Sequence, residues 1–134
     1  MEKKMLSAIC MIGIFLLIAC NASQAEEAST PASVPAEFAG MTNPLGPEAA
    51  TAGAEVFGAN CELCHGPQGQ GDGIAGQSLD PKPKNLADLQ AIVGDDYLFW
   101  RIHEGKPGTS MVSWKGVLTD EQIWQAVSFI RTLK

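Results

Sequence analysis

Cys61-Glu62-Leu63-Cys64-His65 decides how this chain is read. Two thiols three positions apart come from one side of a single helical turn, and an imidazole follows directly. Four chemistries use such a pair. A disulfide leaves His65 without a role. A thioredoxin-like dithiol needs a βαβ setting, and the flanking sequence offers no run of strands. A zinc site needs four ligands; the only other histidine is His103, and no second cysteine pair accompanies it. The fourth is covalent c-type haem. There Cys61 and Cys64 form thioethers to the two vinyl groups, and His65 projects onto the iron as the proximal ligand.

The chain has 134 residues and four cysteines, an even number that in a short sequence suggests two disulfides. Position argues otherwise. Lys3 and Lys4 precede an uncharged run from Met5 to Ala19. That run suits a signal peptide and falls short of the roughly 20 apolar residues that span a bilayer, although a short membrane anchor is the alternative. Leu17-Ile18-Ala19-Cys20 resembles the lipobox of bacterial lipoproteins, which implies a leader over 1–19 and a lipid on Cys20. A plain secretory cleavage after Ala22 or Ala25 is the other option. Cys10 is lost with the leader in either case. Haem is attached to such motifs outside the cytoplasmic membrane, so the address agrees with the motif. Residues 20–46 are rich in Ala, Ser, Pro and Glu, show no apolar period and read as a flexible tether with a reach of roughly 30 Å. Isolated apolar residues within it, Phe38 and Met41, are not expected to dock.

The folded part is expected over 47–134. Pro47 and the helix formers behind it predict a first helix over 48–60, in which Gly53 costs about 1 kcal/mol relative to Ala unless another helix comes close. Residues 66–84, with five Gly and three Pro, form a loop long enough to be wrapped around something. A short helix is expected over 86–93, and another through Glu104 with Asp95 as N-cap and Gly105 as its stop. Thr119 and Gln122 form a capping box ahead of a helix whose stripe is Ile123, Ala126, Val127, Ile130 and Leu133. The expected class is all-α, about four helices with long loops around one covalent haem.

Electron-transfer haems usually take Met or His opposite the proximal His. After Cys20 the chain holds Met41, Met111 and the spare His103. Met41 precedes the domain, and His103 reads as a solvated surface residue on a helix. Met111 lies in the irregular stretch after Gly105 and is the expected sixth ligand; His103 or an open site are the alternatives. Thioether ligation favours ferrous iron and an oxidising potential.

These features together resemble the class I c-type cytochromes, small monohaem His/Met proteins, and most of all the subgroup related to the c-haem domains of haem-copper oxidases. The resemblance runs from Glu48 to Lys134. It is carried by Gly53-x-x-x-Phe57, by Cys61 to Pro67, by Pro81-Lys82-Pro83-Lys84-Asn85-Leu86, by Gly105-Lys106-Pro107-Gly108-Thr109-Ser110-Met111 and by Leu118 to Trp124. It implies that Gly53 and Phe57 cross the last helix near Ala126 and Phe129. It also implies that a backbone carbonyl near Pro83 accepts the Nδ1–H of His65. One departure is Val112, where many relatives carry Pro after the Met; it bears on the rigidity of the Met111 loop. Trp114 is a candidate haem contact or a core residue, and Trp100 reads as core.

Charge narrows the function. A net charge of −6 excludes nucleic acid, whose phosphates demand a basic surface. The expectation is not an enzyme but a carrier of single electrons between redox proteins. It would work on the periplasmic side, held to a membrane through Cys20, with no small-molecule substrate. A fixed subunit of a larger respiratory or photosynthetic complex is the alternative within that class. A haem-based ligand-binding enzyme or sensor is the alternative outside it. The net charge suggests a basic docking face on the partner; Lys82, Lys84 and Lys106 either rim the haem edge or are simply solvated.

Overall fold

The computed structural model describes residues 30–134, so the expected leader and Cys20 lie outside the described residues. Five helices follow in order: α1 Ala49–Asn60, α2 Glu62–His65, α3 Leu86–Gln90, α4 Asp95–Glu104 and α5 Asp120–Ile130, with a 3₁₀ turn at Gly76–Ser78. Among the described residues there is no strand, only an isolated bridge between Lys115 and Leu118. The all-α expectation holds; the added helix is the single turn of α2.

The last helix organises the rest. Thr119 Oγ1 accepts the Gln122 N–H at 3.2 Å, and Gln122 Oε1 accepts the Thr119 N–H at 2.9 Å. That reciprocal cap fixes the start of α5 and thereby the direction of its apolar stripe. Ile123, Ala126, Val127 and Ile130 are buried, and Leu133 is buried just beyond the helix end. α1 crosses this stripe at Gly53. A Cβ there would run into the Gln125 carbonyl and lie 3.0 Å from the Phe129 Cβ, so only Gly lets the two backbones meet. One turn on, Phe57 is 1% exposed and its ring centroid is 5.0 Å from that of Phe129. The crossing that the resemblance implies is present.

α4 joins the same core through Leu98, Phe99 and Ile102, with Phe99 stacked on Trp124 at 4.3 Å. Its N-cap is Gly94, not Asp95. The Asp95 carboxylate turns away to accept from Arg131 Nε at 2.8 Å, so it does not cap its own helix. Arg131 also donates to the backbone carbonyls of Gln90 and Val93. Those carbonyls are satisfied from α5, and α3 closes at Gln90 rather than at Val93.

The stretch expected to be a tether behaves differently. The folded unit begins at Pro31, not Pro47. Phe38, Met41 and Leu45 pack against the buried core. The Gly40 and Asn43 N–H groups donate to the carboxylates of Asp96 and Asp95. Asn43 Nδ2 donates to the Trp124 carbonyl at 3.0 Å and to Ser128 Oγ at 2.9 Å. A segment with no apolar period cannot form a face of its own. It can still be laid across α4 and α5 as a strap, one anchor at a time.

Candidate functional site

α1 leads directly into the motif. The Cys61 N–H donates to the Phe57 carbonyl at 2.8 Å, and the Cys61 carbonyl accepts from Cys64 at 3.1 Å and His65 at 2.9 Å. Both thiols and the imidazole therefore leave one continuous helical turn. Both thiols are free and half-buried. Burial, and after it the nearby Cys64, pushes the Cys61 thiol up to about 11. A dithiol redox centre needs the opposite, a lowered thiol pKa. An apolar setting suits a sulfur that ends as an uncharged thioether.

The glycine-rich loop closes on this turn. Gly76 lies against the Cys64 carbonyl, where a Cβ would also sit 3.1 Å from the Pro83 ring. The loop thus brings Pro83 and Lys84 back to the motif. His65 is half-buried, and its Nδ1 is buried with no hydrogen-bond partner of ordinary geometry. Burial pulls the imidazole pKa down, and the Lys84 backbone acts the other way. The backbone group that acts on His65 is Lys84's, within the segment near Pro83 that the resemblance points to, and Pro83 contributes its ring at Gly76. A neutral imidazole is the form that binds iron.

A second cluster forms at the C-terminal end of α4. The helix stops at Gly105 in a left-handed conformation, φ 72°. The Lys106 N–H donates back to the Met111 carbonyl at 2.9 Å. Met111 and Trp114 are partly buried against the core. The Trp114 N–H donates to the Ile102 carbonyl at 3.2 Å, which ties the far side of the loop to α4. Trp100 is half-buried, edge-on to Tyr97 at 5.8 Å and covered by the Arg101 guanidinium at 3.7 Å.

His103 is not a solvated surface residue. Its ring lies 5.5 Å from Phe38 and 5.6 Å from Phe99, its side chain is 15% exposed, and its Nδ1 bonds Glu104 Oε1 at 2.8 Å. The strap hides it, and sequence reading that left Phe38 undocked had no means of seeing this.

Arg101 is the residue the sequence reading passed over. Its Nη1 donates to the Gly105 carbonyl at 3.2 Å, while its Nε is buried and unpartnered. A buried guanidinium edge with a free donor is complementary to a carboxylate, such as a haem propionate. The available signal was a cation within the apolar run Leu98 to Ile102.

The structure thus joins Cys61, Cys64, His65, Pro83 and Lys84 in one group, and Arg101, Met111 and Trp114 in another. Cys61 and Met111 both pack against the same buried core. Two free thiols and an imidazole on one turn, with a buried unpartnered guanidinium nitrogen in the second group, fit one haem c. Its vinyls, iron and propionates would take up those groups.

Comparison with known proteins agrees. The family model described as cytochrome C oxidase, cbb3-type, subunit III, matches residues 48–130. Cytochrome c6 of Thermosynechococcus vestitus is 27% identical over 128 residues, which is 96% of this chain and 90% of that protein. Cytochrome c6 of Thermostichus vulcanus is 26% identical over 128 residues, with the same coverage. Among solved structures, a chain of the reducing HAO-like protein complex of Kuenenia stuttgartiensis superposes with a TM-score of 0.60 at 24% identity. The match covers 68% of this chain and 47% of that one, so the chain spans about half the length of that structure and shares its fold.

Proposed function

The chain belongs to the family described as cytochrome C oxidase, cbb3-type, subunit III, and from that membership we propose a membrane-tethered carrier of single electrons between extracytoplasmic redox proteins. Membership makes it a c-type cytochrome, an electron-transfer protein whose cofactor is covalent haem c. Haem c, when bound, supplies an iron centre that takes up and gives back one electron. Everything else falls to the chain. Cys61 and Cys64 would hold the macrocycle through thioethers, and His65 and Met111 would be the axial ligands. The lowered pKa of His65 keeps its imidazole neutral and ready to ligate. Arg101 would offer its free Nε to a propionate, and Trp114 would pack beside the group.

The observation that carries the reading is the motif turn itself. Two free, half-buried thiols and a half-buried imidazole leave one helical turn. The lipobox-like Cys20 supports the tether, and no helix among the described residues is long and apolar enough to cross a membrane. The partners would be redox proteins in membrane complexes. The likeness to one chain of an HAO-like complex, and the oxidase-subunit description of the family, favour a second reading within the same chemistry, a fixed subunit of such a complex.

An absorption spectrum of the purified holoprotein tests the ligand set. The oxidised protein should show a Met-to-ferric-iron charge-transfer band, lost in Met111→Ala, and the reduced protein should bind carbon monoxide slowly at neutral pH. A wild-type protein without the band overturns the Met111 assignment, and one that also binds carbon monoxide at once is a ligand-binding haem protein instead.

A further inference from the structure

We propose that Thr109 and Ser113 are positioning residues, two hydroxyl clips that hold the Met111 loop closed; this rests on Met111 being the iron ligand. The loop lacks the usual device for stiffness. Val112, where many relatives carry Pro, is 63% exposed and packs on little. Gly108, near the loop tip, has φ 76° and open space around it. A Met in so loose a loop would leave the iron readily unless something else fixed the backbone.

Two hydroxyls do so, one on each side of the Met. Thr109 Oγ1 donates to the Lys106 carbonyl at 2.8 Å and accepts the Met111 N–H at 3.2 Å. Ser113 Oγ donates to the His103 carbonyl at 2.7 Å and accepts the Lys115 N–H at 3.2 Å. Each hydroxyl therefore fastens a carbonyl at or just beyond the end of α4 to an N–H of the loop. The direct bond from Lys106 N–H to the Met111 carbonyl closes the ring between them. Residue 105 allows the approach: a Cβ there would lie 2.7 Å from the Met111 carbonyl oxygen and 2.6 Å from the Val112 carbonyl carbon. The loop is pressed onto the helix end, and the hydroxyls are what keep Met111 from swinging out with Val112.

The test uses the haem-loaded protein in its reduced form, with carbon monoxide as the probe of the open state. Thr109→Val loses two hydrogen bonds and should speed carbon monoxide binding by about tenfold, whereas Ser113→Ala should speed it less, because the Lys115 N–H keeps its direct bond to the His103 carbonyl at 3.0 Å. Thr109→Ser keeps the hydroxyl and should bind at the wild-type rate. The helical signal at about 25 °C should stay at the wild-type value in all three, with a thermal midpoint lower by only a few degrees in the two variants that lose a hydroxyl. If Thr109→Val keeps the charge-transfer band and binds no faster than wild type, the clips are not what holds the loop, while the Met111 ligand stands. Equal acceleration in Thr109→Ser, or acceleration accompanied by loss of helical signal at the assay temperature, also overturns the proposal, since general loosening would explain it. A wild-type protein lacking the band overturns the ligand assignment and the clips together.

Discussion

The Gln125 carbonyl fills the place that a side chain on Gly53 would need, so α1 and α5 meet backbone to backbone. Alanine at 53 would gain about 1 kcal/mol of helix propensity. It would also drive a methyl into a peptide group that cannot rotate away, and overpacking of that kind costs about 1–3 kcal/mol or more. Gly53→Ala should therefore lower the stability of the holoprotein by about 2 kcal/mol, seen as a lower urea midpoint at unchanged slope. An alanine variant as stable as wild type would mean that the helices have room to part.

The strap is held chiefly by Asn43. Its side chain donates to the Trp124 carbonyl and Ser128 Oγ and accepts the Leu45 N–H. Asn43→Ala should cost about 1–2 kcal/mol. Limited proteolysis should then cut within 31–46 faster than in wild type, while 47–134 survives as a core. Cleavage at wild-type rate would mean that Phe38, Met41 and Leu45 suffice to hold the strap.

Acid should weaken the fold through His65. The unfolded imidazole titrates at 6.5, and burial places the folded value lower, against the smaller opposing effect of the Lys84 backbone. Below 6.5 the unfolded chain binds a proton that the folded chain refuses, so stability falls as pH drops and does not change on this account above it. Iron ligation acts in the same direction, because a ligating nitrogen cannot be protonated. Urea midpoints between pH 7.5 and 5 should decline from about 6.5 downward, with a slope near 1.4 kcal/mol per unit for one proton. A flat profile across that range would contradict the burial of His65.

Cys20→Ala should move the haem-stained protein from the membrane fraction to the soluble one. Retention of the variant in the membrane would point to the uncharged run from Met5 to Ala19 as the anchor.

Local rules made the helices legible. Thr119 and Gln122 define the start of α5 without reference to anything distant, and Gly105 ends α4 as its position predicts. The haem turn is legible because its chemistry is contiguous. What escaped notice depends on partners far along the chain. Phe38, Met41 and Asn43 look idle until α4 and α5 are beside them. Asp95 looks like a cap until Arg131 takes it. Arg101 looks like a solvated cation until its Nε is found buried. Thr109 and Ser113 look like ordinary loop residues until the end of α4 supplies their carbonyls.

α1, α3 and α4 each pack against α5, which is the last helix in the chain. A polypeptide that emerges from its N-terminus therefore makes α1, α3 and α4 before the surface they share. Before Asp120 to Ile130 arrives, Gly53 has no peptide group to meet, Phe57 no ring to lean on and Phe99 no indole. Chain order thus acts as a timer: the helices that precede α5 are made without the surface they share, and the core closes on them only when α5 is present.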